Sequence, residues 1–130
     1  MATVVYSDVV LDHFRHPRNV GGFSTEQNRV GVGQAGQVAT GGIMKLQIRV
    51  DESGIISDAR FRSYGCGATI AAGSYVTEWL QGKTLDQAGS LSTDHLVRAL
   101  KLPPVKVHCA MLAEDAVKAA INHFNSRYQE

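Results

Sequence analysis

Residues 43–50 read IMKLQIRV, in which Met44, Leu46, Ile48 and Val50 alternate with Lys45, Gln47 and Arg49. Successive side chains of a β-strand point to opposite faces, so this order calls for a strand with one face in a core and the other in water. Beyond the turn DESG, residues 51–54, Ile55, Ala59 and Phe61 share one parity while Asp58, Arg60 and Arg62 share the other. That pattern predicts an antiparallel partner and hence a hairpin. Two strands alone are marginal in water, so a third is expected, and residues 29–32 are the weaker segment available to pair.

The rest of the chain reads as helices. Val5, Val9, Val10, Leu11 and Phe14 predict a short amphipathic helix over residues 4–14. RHPRNVGG ends it, because Pro17 cannot continue a helix and Gly21-Gly22 favour a turn, and a loop follows to about residue 27. Past Cys66, Ile70, Val76 and Leu80 mark a helix stopped by Gly82, Thr84 to Gln87 spell a capping box, and Ser92 can cap a further helix through Leu100. The last helix has the strongest period: Leu112, Ala113, Ala116, Val117, Ala120, Ile121 and Phe124 form a stripe with Glu114, Lys118 and Asn122 off it. Strands come first and helices follow, so the class is α+β: a small three-stranded antiparallel sheet with helices packed mainly on one face. At 130 residues, one domain spanning 1–130 suffices to bury a core.

Charge excludes some partners. Thirteen Lys and Arg stand against twelve Asp and Glu, a net +1 without a basic cluster, so neither nucleic acid nor an anionic membrane is an expected partner. The first residues carry Asp8 and Asp12 and lack the basic, uninterrupted apolar form of a secretory signal, and no segment is long enough to cross a bilayer. A soluble, cytoplasmic protein is expected, with its two cysteines, Cys66 and Cys109, reduced.

Three stretches carry candidate chemistry. GVGQAG, residues 31–36, matches a dinucleotide-binding fingerprint literally, but a strand follows where that fingerprint needs a helix, so it reads as a mobile glycine-rich loop. SYGCGATIAAG sets Cys66 between two glycines where a strand gives way to a helix; the glycines leave room for something bulky beside the sulfur, and the helix N-terminus favours a thiolate. Cys109 occupies a similar place beside His108 at the start of the last helix. Thiolate and imidazole suit zinc, iron or iron-sulfur clusters rather than magnesium or calcium. The plain alternative stays open at this point: free cysteines are often small buried hydrophobes, and no C-x-x-C pair anchors a metal site. A Cys–His nucleophile and base is disfavoured, because neighbours at a helix start point in different directions.

DHFRHPRNVGGF, MKLQIRV, ARFRSYGCGATIAAGSYVTEWLQGKTL and LPPVKVHCAMLAEDAVKAAI together resemble the IscU/NifU-type iron-sulfur cluster assembly scaffolds over nearly the whole chain. The resemblance implies a small antiparallel sheet with helices packed on it. It also implies a site of three cysteines and an aspartate, with a histidine beside the last cysteine, around a cluster or a substituting zinc. Cys66, His108 and Cys109 match as metal ligands, with Cys109 the sulfur acceptor from a cysteine desulfurase. Where the family has a segment like ACGD, this chain reads ATGG, residues 39–42, leaving Thr40 and Gly42 in place of Cys and Asp. A neutral hydroxyl does not replace a thiolate, and glycine offers no donor, so at most three of the usual ligands remain. LPPVK (Leu102, Pro103, Pro104, Val105 and Lys106) resembles the family's recognition motif for a dedicated Hsp70-type chaperone and its co-chaperone. The two prolines also keep the preceding helix from running on, holding the chain extended so that the final helix starts at His108-Cys109. Lys106 either reaches the site or stays solvated.

Two functions follow from the resemblance. One is a carrier that holds iron and sulfide, or a labile [2Fe–2S] cluster, for transfer to acceptor apoproteins, without enzymatic turnover of its own. The other is a cluster-incompetent paralogue that binds zinc or no metal and regulates the pathway through the desulfurase or the chaperone.

Overall fold

The computed structural model describes residues 5–23, 29–37 and 42–128. In chain order they form α1 (Asp8–Arg15), β1 (Val30–Gln37), β2 (Gly42–Val50), β3 (Ile56–Tyr64), α2 (Gly67–Leu80), α3 (Leu85–Gly89), α4 (Thr93–Leu100), a 3-10 turn (Pro104–Lys106) and α5 (Val107–Tyr128). The sheet is antiparallel in the order β1-β2-β3. Its core face carries Met44, Leu46, Ile48, Val50, Ala59 and Phe61, covered by α2 and α5. Burying one such Leu, Ile, Val, Met or Phe side chain is worth about 1.5–3 kcal/mol. The α+β class and the one-sided packing expected from periodicity are both present. Among the described residues no helix is long and apolar enough to cross a membrane.

The hairpin departs from simple alternation at one place. Pairing runs residue for residue from Ile43↔Tyr64 to Arg49↔Asp58 and then shifts, so that Val50 faces Ile56. The extra residue of this bulge turns Ile56 into the core, while Ile55, expected on that face, is only half-buried.

GVGQAG is strand, not a mobile loop: it lies within β1, which extends well past the expected residues 29–32. The reason is packing. A Cβ on Gly31 would lie 2.5 Å from the Ala120 carbonyl oxygen, and one on Gly33 would overlap the backbone at Ala116 and Ala120. The glycines let α5 lie directly on the strand. Side chains of α5 then close the open edge of the sheet: the Val32 N–H donates to His123 Nδ1 at 2.9 Å and the Arg29 N–H to the Tyr128 hydroxyl at 2.9 Å. At the other edge, the Gly21 N–H donates to the Phe61 carbonyl and the Phe61 N–H to the Asn19 carbonyl.

Three helix starts follow their caps. The Ser7, Thr84 and Ser92 hydroxyls accept from the backbone N–H of Val10, Gln87 and His95, and Gln87 completes the capping box. Because the cap is Ser7, α1 begins later than the expected residues 4–14; it buries Val10 and His13, whereas Val5 is 80% and Phe14 44% exposed. Val4 lies outside the described residues. Before α5, Pro103 is extended, but Pro104 opens a 3-10 turn that runs straight into the helix at Val107. The segment is therefore not extended throughout, and His108 and Cys109 lie inside the first turn of α5.

Candidate sulfur and metal site

Cys66 is the N-cap residue of α2. Gly65 before it has φ +150°, a conformation that L side chains rarely adopt, and this turn swings the chain from the end of β3 into the helix. The Cys66 carbonyl accepts from the Thr69 N–H at 3.0 Å. Since α2 and α5 lie side by side on the sheet, their first turns meet. Cys66 Sγ stands 3.6 Å from Cys109 Sγ, and His108 Nε2 stands 3.6 Å from the same Cys109 sulfur.

The Thr69 hydroxyl joins the pair: it donates to Cys109 Sγ at 3.3 Å and lies 3.6 Å from Cys66 Sγ. Reading the sequence missed Thr69, although its place three residues after an N-cap cysteine puts it on the same helical face. The Lys106 ammonium also reaches the site, where the Cys66 sulfur, ahead of Tyr6, keeps its proton more firmly held than usual.

The two thiols are unequal. Burial works to raise Cys66, but hydrogen bonds from the Thr69 hydroxyl and backbone N–H, from Cys109 and from the Ala68 N–H outweigh it and bring the thiol down to about 6. Burial pushes Cys109 up to about 11, the Thr69 bond opposing and the Cys66 charge reinforcing. Near neutral pH the pair is thus one thiolate and one thiol. Cys66 is half-buried and Cys109 wholly buried, so a reagent from solvent meets Cys66 first.

Gly42 opens β2 beside this cluster. A Cβ there would lie 3.7 Å from Thr69 Oγ1 and 3.0 Å from Leu112 Cδ1, so a side chain at position 42 would point toward the sulfurs, with Leu112 giving way. Thr40 lies outside the described residues. Among the described residues, no three His, Cys, Asp or Glu side chains are grouped to hold one metal ion. The arrangement has two sulfurs and an exposed imidazole at one side, and glycine where a fourth donor would stand. Along the chain, Tyr64, Val105 and Met111 flank the two cysteines, and each is at least half exposed.

Sequence comparison points the same way. A family described as NifU-like N terminal domain matches residues 5–130. The iron-sulfur cluster assembly scaffold protein IscU of Escherichia coli (strain K12) is 52% identical over 124 residues, covering 95% of this chain and 97% of that protein. The mitochondrial iron sulfur cluster assembly protein 1 of Yarrowia lipolytica is 51% identical over 122 residues, covering 94% of this chain and 67% of that protein. Among solved structures, the N-terminal part of a nitrogen-fixing NifU-like protein from Brucella abortus superposes with a TM-score of 0.71 at 14% identity, over 93% of this chain and 94% of the other, a likeness of fold.

Proposed function

The chain belongs to the NifU-like N-terminal domain family, and on that premise we propose that it is a carrier of iron and sulfide, held as labile cargo and passed to acceptor apoproteins. The observation that carries this reading is the convergence of Cys66, Thr69, His108 and Cys109 at the joined first turns of α2 and α5. A [2Fe–2S] cluster ordinarily takes four protein ligands, and this site offers two thiols and one imidazole. The cargo is therefore weakly held unless an acceptor, a donor or a second protomer completes the shell, which suits transfer better than storage.

Sulfur enters at Cys66, delivered by a cysteine desulfurase that docks over the exposed Tyr64, Val105 and Met111. Free cysteines suit a reducing, cytoplasmic setting. LPPVK serves an Hsp70-type chaperone with its co-chaperone, and that role includes a local opening. Leu102 is only 7% exposed and its N–H donates to the Val97 carbonyl at 3.0 Å, so an extended-peptide groove takes the whole motif only after Leu102 leaves the core. That exposure costs about 1.5–3 kcal/mol.

Anaerobic reconstitution with iron and sulfide tests the carrier. The expected result is a weak, short-lived visible chromophore that strengthens when Thr40→Cys and Gly42→Asp are introduced together. No gain in the double variant would sink the missing-ligand argument. The regulator reading is favoured by Gly42 and by the lack of a three-donor group among the described residues. Protein purified without air that carries zinc alone, or no metal, and never takes up acid-labile sulfide would establish it instead.

A further inference from the structure

We propose that Cys66 and Cys109 form a sulfide-releasing dithiol: sulfur accepted on Cys66 as a persulfide is expelled as hydrosulfide when Cys109 closes a disulfide with Cys66. The proposal deepens the carrier reading and rests on its premise that Cys66 accepts sulfur. It gives the chain its own way of reducing that sulfur, without a separate electron donor.

The geometry supplies each part. The two sulfurs lie 3.6 Å apart, just outside the roughly 3–3.5 Å of a near-attack arrangement, and need close only to the ~2.05 Å of a disulfide. Only Cys66 has an exposed side, so the external donor reacts there and Cys109 waits behind it, wholly buried. Thr69 holds both sulfurs through one hydroxyl, which fixes their mutual orientation. The Lys106 ammonium lies against Cys66, where a departing anionic sulfur would form. His108 Nε2, 3.6 Å from Cys109 Sγ, is placed to move the Cys109 proton. Thr40 and Gly42 offer no third thiol to divert the persulfide.

The chemistry balances in two displacements. Cys66 sulfur attacks the outer sulfur of a low-molecular-weight persulfide, RSSH; a Cys66 S–S bond forms, the RS–S bond breaks, and RSH leaves. Cys109 Sγ then attacks Cys66 Sγ; the Cys66–Cys109 bond forms, and the bond to the terminal sulfur breaks with its electron pair going to that sulfur. That sulfur leaves as HS⁻, and the Cys109 proton joins it to give hydrogen sulfide. One RSSH and two protein thiols thus become RSH, one disulfide and hydrogen sulfide, the two thiols supplying both electrons.

The test uses reduced, metal-free full-length protein and one equivalent of glutathione persulfide without air, with released hydrogen sulfide and intact mass after thiol blocking as readouts. Wild type should release close to one hydrogen sulfide per chain and end lighter by two hydrogens, with Cys66 and Cys109 in one disulfide peptide. Cys109→Ser should remain heavier by one sulfur atom, carried on Cys66, and release hydrogen sulfide about tenfold more slowly or less. Cys109→Ala gives a second comparison, and circular dichroism of both variants confirms folding. A stable persulfide on wild-type Cys66 with no disulfide would overturn the release step while leaving sulfur acceptance intact. Absence of sulfur from Cys66 in both Cys109 variants would overturn acceptance, and the proposal with it.

Discussion

On the middle turns of α2, the Ser74 hydroxyl meets His13 Nδ1 at 2.7 Å and accepts from the Arg18 backbone N–H at 2.9 Å. On the first turn of the same helix, the Thr69 hydroxyl stands between two sulfurs at 3.3 and 3.6 Å. Both clusters set a single hydroxyl between two neighbours. In the first, both neighbours are also held elsewhere: the Arg18 guanidinium bridges Asp12 at 2.8 Å and Glu78 at 3.6 Å, although its buried Nη1 has no partner among the described residues, and His13 packs edge-on against Tyr75. That cluster clamps α1 to α2. In the second, the sulfurs meet Thr69, each other, His108, the Ala68 N–H and the Lys106 ammonium, and Cys66 keeps one side open to solvent. A hydroxyl enclosed among fixed partners is structural, whereas a sulfur with one side open to solvent is available for chemistry.

The largest test of that contrast is Ser74→Ala. It removes the partner of His13 Nδ1 and of the Arg18 N–H together, and should cost about 2 kcal/mol in urea unfolding at unchanged slope, while the rate of Cys66 alkylation stays as in wild type. A loss below about 0.5 kcal/mol would erase the distinction.

Thr69→Val should behave in the opposite way. It costs less than about 1 kcal/mol of stability, but without the hydroxyl Cys66 titrates higher, and a one-unit rise cuts its thiolate fraction about fivefold at pH 6. Iodoacetamide kinetics between pH 5 and 9 read this directly. An unmoved profile would show that Thr69 does not hold the sulfur anion.

The sharpest discriminator is the pH dependence of stability in metal-free protein. The Cys66 thiol is depressed from its ordinary 9.0 to about 6, so its contribution is present above pH 9 and lost as pH falls through 6. Cys109 is raised from 9.0 to about 11, so its contribution is present below pH 9 and lost as pH rises through 11. Together they put a maximum near pH 9. His13 is lowered from 6.5, by burial first and the Arg18 charge second; its neutral form is favoured in the fold, so stability drops on this account only below pH 6.5. Cys66→Ser should flatten the limb between pH 6 and 9 and leave the His13 limb in place. Thermal melts across that range would show whether the two clusters titrate separately.

Much of the fold was legible because neighbouring residues alone decide it. Period-two alternation set out β2, and side-chain oxygens at Thr84 and Ser92 marked helix starts without reference to anything distant. The misreadings share a cause. Alternation puts Ile55 on the core face because it does not count the residue that the bulge adds. The glycines at 31 and 33 read as a loop because their purpose lies in α5, more than eighty residues away. His13 reads along the chain as an ordinary polar residue of a short helix, and only Ser74, 61 positions on, makes it part of a clamp.

What the linear order of residues determined by itself was the inventory: an alternating hairpin, the helices after it, the membership of two cysteines and a histidine in a recognisable set, and the loss of donors at positions 40 and 42. What only the tertiary structure decided was the division of labour within that inventory. Whether Cys66 or Cys109 meets solvent, which hydroxyl ties the sulfurs together, and whether two thiols 43 positions apart stand 3.6 Å from each other depend on how α2 and α5 lie across one sheet. Burial and hydrogen-bond partners set a thiol's acidity, and both are properties of packed neighbours brought together from distant parts of the chain.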